Sequence, residues 1–278
     1  CCAQLSAQGY EVHAVSSKSQ SDQTVSWHKA DLLNSQQRLR LIHNIQPTHL
    51  LHLAWYAEPG KYWTSKQNYL WVRASLALFE QFAEFGGQRI VAAGSCAEYE
   101  WECERYIEGI TPMEPATPYG ICKHSLQMML SSYAKLRGIG FSWGRIFSVY
   151  GPREHPNRLF SSVIMALLSG KGVQCANGLL VRDYLHASDV ASAFNKLLLC
   201  DVDGAFNIGS GNGMTLGNLM ENIELQIGNE GLLKIVTEQS SQADTPVIVA
   251  DVNRILGTGW KPKYDLENGL RDTIDWFR

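Results

Sequence analysis

Ile90-Val-Ala-Ala-Gly-Ser95 decides how the chain folds. The run is short, apolar, and closes on a hydroxyl, which suits a buried strand ending at a sheet edge. Before it, Asn68–Phe85 carries apolar residues at Leu70, Val72, Leu76, Leu78, Phe79 and Phe82 and stops at Gly86-Gly87. After it, Tyr119–Arg137 reads as a long helix ending at Gly138. The alternation continues outward. Tyr10–Val15 is a strand, Ser35–Asn44 a polar helix ending before Pro47, Thr48-His-Leu-Leu-His-Leu53 a buried strand, and Phe141–Phe147 another. Near-continuous apolar strands separated by helices predict a parallel sheet covered on both faces, a doubly wound α/β architecture. Such sheets take ligands at the carboxyl ends of their strands, where Ser95 falls.

The pattern loosens after Tyr150-Gly-Pro-Arg153, and glycines thicken at 170, 172 and 178 and again at 209, 211 and 213. This predicts a first domain over 1–150 and a smaller lobe over 151–278, with about 183–205 packing back on the first. Across 278 residues, 24 Lys+Arg stand against 27 Asp+Glu, a net charge of −3. That balance gives no global attraction to nucleic acid or to an anionic membrane. The longest apolar stretch, Phe160–Leu168, is half of the ~20 residues a membrane span needs. Seven scattered cysteines contain no Cys-x-x-Cys pair, and eight histidines no His-Glu-x-x-His, so no metal site is expected. Free thiols in a reducing cytoplasm are the simpler reading of the cysteines.

Tyr-x-x-x-Lys occurs twice, at Tyr62/Lys66 and Tyr119/Lys123. The first lies in an aromatic loop with no helix start and reads as accidental. The second follows Pro118, a favoured first-turn residue, and residues four apart share a helix face. A Lys123 ammonium beside the Tyr119 ring is expected to favour the phenolate and lower the pKa of the phenol toward usable acid/base range. Ser95, at the carboxyl edge of its strand, could hold and polarise a substrate carbonyl.

With Ser95, Tyr119 and Lys123 in place, the sequence resembles the extended short-chain dehydrogenase/reductases, the NAD-dependent epimerase/dehydratase family, in its nucleotide-sugar branch. His49–Ala54 is similar to that family's strand ending in His-Leu-Ala, Gly94-Ser95 with Tyr99 to its Ser-x-x-x-Tyr, and Pro118-Tyr119-Gly120-x-x-Lys123 to its catalytic helix. Arg145 through Arg153, Val181 through Val190, Asn207-Ile-Gly-Ser-Gly211 and Leu256 through Pro262 resemble later signatures. The resemblance implies a Rossmann-type fold with an NAD(P)-binding domain and a C-terminal nucleotide-sugar lobe. It implies that Tyr119 exchanges the proton at a sugar carbonyl, that Ser95 hydrogen-bonds the same oxygen, and that Lys123 holds the nicotinamide ribose. Leu53 and Ala54 would lie next to the cofactor, and Asp31-Leu32 at its adenine. Arg182 and Arg153 become candidates for the nucleotide diphosphate, and Cys96 and Ser148 for the sugar side of the site. A salt bridge to Asp183 or Asp189 is the plainer reading of Arg182.

Departures from the pattern matter as much. No Gly-x-x-Gly-x-x-Gly turn occurs, and residues 1–9 read as the end of the helix after it, so roughly 15–20 residues carrying the first strand and phosphate turn are expected upstream. Cys96-Ala97 stands where dehydratases carry Asp-Glu, which argues against dehydration. Ser16-Ser17-Lys18 ends the second strand of the pattern without a carboxylate, which favours NADP over NAD. The glutamates 98, 100, 102, 104 and 108 read as a solvated loop face, and the rings of Trp55, Tyr56, Tyr62, Trp63, Tyr99 and Trp101 as sugar-stacking groups or core. The leading expectation is a reductase of a nucleotide-linked 4-keto-6-deoxy sugar, with a C4 epimerase as alternative and an NAD(P)-sensing binding protein as the non-enzymatic one. The family's habit implies a homodimer through helices 68–85 and 119–137.

Overall fold

Caps and glycines set the element boundaries. Asn34 starts the helix Ser35–Ile45 by accepting hydrogen bonds from the Gln36 and Gln37 amides, and left-handed Gln46 ends it. Thr117 accepts from the Gly120 amide, Pro118 takes the first helical turn, and Gly138 at φ 65° closes Pro118–Arg137. The structure is a computed structural model describing residues 1–20, 25–236 and 245–278. It divides into two units, the first formed by Cys1–Glu98, Met113–Arg145 and Ala191–Phe206, the second by Tyr99–Pro112, Ile146–Val190 and Asn207–Arg278.

In the first unit, His13–Ser16 pairs parallel with Ser26–Lys29. A four-stranded sheet runs in the order Gly204–Ile208, Gly140–Ile146, Arg89–Ser95, His49–His52, the last two pairing parallel with His49 opposite Arg89 and His52 opposite Ala92. The helices Gln67–Glu84 and Pro118–Arg137 pack together over this sheet through Phe79, Phe82, Leu126, Leu130, Ile90 and Trp143, all at most 2% exposed. This is the Rossmann-type α/β fold. The strand at residue 10 begins only at His13, and the strand from Arg89 runs on to Ser95. Arg89, at a strand start, is buried and donates to the Leu197 carbonyl and to Ser142 and Asp203, which ties Ala187–Leu199 and the loop after it to the sheet.

The second unit is built on Val181–His186, flanked by Gly213–Thr215 on one side and Val247–Ala250 and Arg105–Tyr106 on the other, with Ser148–Tyr150 also paired to it. Its core gathers Tyr150, Phe160, Ile164, Leu167, Leu219, Ile223 and Leu270. Buried Asp183 braces the sheet by accepting from the amides of Ser210, Gly211 and Ala250 and from the Ser210 hydroxyl. Among the described residues no helix is long and apolar enough to cross a membrane.

Candidate active site

Ser95 closes its strand at the carboxyl edge, and its Oγ accepts from the Ala97 amide at 3.2 Å. Its side chain also acts on the phenol of Tyr119, the second residue of Pro118–Arg137. The Thr117 cap and Pro118 fix that first turn. Gly120 lets it approach the turn Cys96–Glu98, since a Cβ there would stand 2.1 Å from the Ala97 carbonyl oxygen. One turn along, Lys123 is 3% exposed. Its Nζ donates to the Ala93 carbonyl at 2.8 Å and lies 3.8 Å from the centre of the Trp55 ring and 6.0 Å from that of Tyr119. The three residues therefore come together within one unit.

The electrostatics run opposite to the expectation from spacing. Burial pushes the Tyr119 phenol above its usual range, against the opposing effect of the Ser95 hydrogen bond. Burial also pushes the Lys123 ammonium down to about 7, with the Glu98 charge pulling the other way. Desolvation penalises phenolate and ammonium alike, and it is the largest influence on each. Tyr119 is thus held as the neutral phenol, with its proton in place. His52, buried and bonded to the Ser75 hydroxyl at 2.8 Å, is driven down to about 3 by burial and by Lys123, and contributes no cation.

Glu98 corrects the reading of a solvated glutamate face. Its side chain is fully buried and accepts from the Ser95 amide at 2.8 Å, Trp143 Nε1 at 2.9 Å and Arg145 Nε at 2.9 Å. Glu108 departs from the same reading, accepting from the Asn207 amide at 2.6 Å. The signal for Glu98 lay in its register, three residues beyond a strand-end Ser and behind Gly94.

The aromatic loop also joins the site. Trp55 Nε1 donates to buried Asn68 at 2.8 Å, and the Asn68 amide donates to the carbonyls of Tyr62 and Ser65. This ties down the turn Tyr62–Thr64 so that Tyr62 and Trp63 meet the Tyr119 ring edge-on at 4.9 and 5.6 Å. Lys66 is exposed and plays no part there. Tyr99 lies elsewhere, buried with its hydroxyl donating to Asn207.

The remaining candidates are more dispersed. Ser16 Oγ accepts from the Lys18 amide in the turn that carries Ser17, and Asp31 accepts from the Leu33 amide. Leu32, Leu53 and Ala54 line a cavity of about 570 Å³ shared by the strands His13–Ser16 and His49–His52. Cys96 is half-buried beside Ser95. In the second unit, Ser148 pairs with Tyr184, and Arg153, at φ 66°, places its guanidinium 5.2 Å from the Trp276 ring. Arg182 donates to the carbonyls of Val181 and Thr245. No cluster of metal-ligating side chains occurs among the described residues.

A doubly wound sheet with a strand-end serine acting on a helix-borne Tyr, and a buried Lys one turn on, defines an enzyme of the nicotinamide-linked oxidoreductase class. The chain belongs to the NAD dependent epimerase/dehydratase family, whose model matches residues 1–209. It is 23% identical over 257 residues to the UDP-glucuronate 4-epimerase of Thermodesulfobacterium geofontis, covering 90% of this chain and 78% of the relative. It is 25% identical over 213 residues to the mouse (Mus musculus) dTDP-D-glucose 4,6-dehydratase, covering 70% and 57%. Among solved structures, the Thermus thermophilus UDP-glucose 4-epimerase complex with NAD superposes with a TM-score of 0.86 at 25% identity, covering 99% of this chain and 94% of that one.

Proposed function

We propose that the protein reduces the carbonyl of a nucleotide-linked 4-keto-6-deoxy sugar, using NADPH in preference to NADH. The observation that carries this reading is Tyr119, held neutral against Ser95 with the non-ionisable, buried Ala97 beside them. The site thus has a proton donor for one carbonyl oxygen and lacks at position 97 the acid that water elimination or C3/C5 epimerisation calls on. Tyr119 gives its proton to that oxygen while Ser95 donates a hydrogen bond to it, and the phenolate left behind is offset by the Lys123 ammonium.

The donor set fits the nicotinamide end of the cofactor. Lys123 is a buried ammonium whose one hydrogen bond to a described residue goes to Ala93, which leaves N–H groups for ribose hydroxyls. When bound, the dinucleotide supplies the hydride. Ser16, Ser17 and Lys18 supply hydroxyls and a cation where a 2′-phosphate would need them, Asp31 and Leu32 an adenine contact, and Leu53 and Ala54 an apolar wall. No residue is assigned to the pyrophosphate, because the sequence has no glycine turn opening a βαβ unit. Arg153 and Arg182, with Ser148 and Cys96, are proposed for the nucleotide sugar, and 151–278 as the lobe that carries most of its contacts.

The relatives favour a second reading, C4 epimerisation by the same three residues. Epimerisation requires the keto sugar to turn and present its other face. Tyr62 and Trp63 pack edge-on against Tyr119, and rings so close to the proton donor are read as favouring one-sided reduction. Purified protein with NADPH and a 4-keto-6-deoxy sugar nucleotide decides. Stoichiometric NADPH oxidation supports the reductase, whereas interconversion of two C4 epimers without net oxidation establishes the epimerase. A homodimer is part of the proposal, through the apolar side chains Tyr69, Leu70, Ile121, Met128 and Met129 that helices Gln67–Glu84 and Pro118–Arg137 leave exposed.

A further inference from the structure

Glutamate is almost never fully buried unless it is paired, and Glu98 is 0% exposed. The groups that its carboxylate bonds are all donors: the Ser95 amide, the Trp143 indole N–H and Arg145 Nε. A group that meets only donors acts as the ionised acceptor. The neighbouring sequence makes room for it. A Cβ on Gly94 would stand 2.0 Å from Trp143 Nε1 and 2.4 Å from Glu98 Oε1.

Two of these connections lead to the chemistry. The bond to the Ser95 amide fixes the strand end that brings the Ser95 hydroxyl to Tyr119. The charge itself reaches Lys123, where it opposes the effect of burial. Lys123 also faces neutral His52 from the strand His49–His52, the Trp55 ring, and Tyr119 from its own helix. Glu98 in turn faces Arg145 from Gly140–Ile146 and His124 from Pro118–Arg137, and its charge, with Tyr62 and Cys96, also acts on Tyr119 and disfavours the phenolate. Among the described residues Glu98 is the carboxylate that acts on Lys123.

We propose that Glu98 is a positioning residue for the reaction: its carboxylate locks the Ser95 strand end against Tyr119 and serves as the internal counter-charge of the Lys123 ammonium. The role rests on the assignment of Ser95, Tyr119 and Lys123 as the reacting set. It makes turnover in the reducing direction depend on a charge that touches neither substrate nor cofactor. Turnover falls as pH rises through the Lys123 midpoint, because the neutral amine no longer offsets the Tyr119 phenolate.

The test is the Lys123 titration midpoint, read by trace acetic anhydride labelling of the folded enzyme across pH with peptide mass spectrometry, beside the pH profile of kcat. Glu98→Gln should lower the midpoint by about one pH unit, so that near the midpoint the ratio of neutral to charged Lys123 rises about tenfold at a fixed pH. The alkaline limb of kcat should shift by the same amount, and Glu98→Asp should restore both. Glu98→Gln leaves Arg145 buried without its partner, so Glu98→Gln combined with Arg145→Gln is measured alongside it. A midpoint that stays at the unsubstituted value in whichever of these variants folds overturns the proposal. Failure of both to fold also overturns it, leaving Glu98 a structural anchor. The labelling needs no substrate, so correct labelling without sugar-nucleotide turnover fails the functional reading alone.

Discussion

Replacing Tyr119 by Phe deletes the proton donor but keeps the ring that packs on Tyr62 and Trp63. Tyr119→Phe should cut kcat by ~10²–10⁴-fold with an unchanged melting temperature, measured by NADPH oxidation and thermal unfolding. His52 gives a pH prediction. Its folded pKa of about 3 lies below the usual 6.5, so between those values the unfolded chain holds one more proton. Stability therefore falls as pH drops through that window, by about 1.4 kcal/mol per pH unit from this residue. His52→Gln should flatten the acid side of a melting-temperature profile relative to the parent. Lys123 acts in the same sense at higher pH, with stability rising between about 7 and 10.5. The grouping of Ser95, Tyr119 and Lys123 was legible at this scale because they carry a fixed spacing on a recognisable strand and helix. The direction of the Tyr119 shift was not, since desolvation depends on what covers a group in space. Glu98 was hidden for a related reason: the alternating acidic run around it reads as solvated, and only its register, three residues beyond Ser95 and behind Gly94, sets it apart.

Elements were legible wherever the chain carried its own boundary signals. Gly86-Gly87, Thr117-Pro118 and Gly138 stop and start helices by local chemistry, and the observed ends fall within two residues of those signals. Arg105–Tyr106 carried none. It is a two-residue strand that exists only by pairing with Val247–Ala250, far along the chain. The Asp183 brace is likewise non-local, joining Val181–His186 to the turn at Ser210-Gly211 and to Ala250. Asp183→Asn would keep the shape but remove the charge that these buried donors share. It should cost about 3 kcal/mol in denaturant unfolding, with the loss falling on the second unit's sheet. An equal stability for the variant would show that the amides find other acceptors.

At the scale of the whole molecule, the near-neutral charge fits a protein whose charged chemistry is internal, with Glu98, Lys123 and Arg145 all at most 4% exposed. The exposed face of Leu70, Ile121, Met128 and Met129 should give a sedimentation mass twice that of the chain, and Met128→Glu with Leu70→Glu should halve it. A monomer before substitution would remove the dimer. Two indoles border the group of Ser95, Tyr119, Lys123 and Glu98, Trp55 with its ring face under the Lys123 ammonium and Trp143 with its N–H on Glu98. The emission of an indole shifts with the electric field across its ring. Any event that changes the charge at Lys123, whether proton loss or the arrival of a dinucleotide, is therefore written into the protein's own fluorescence, and the site carries an optical gauge without a label.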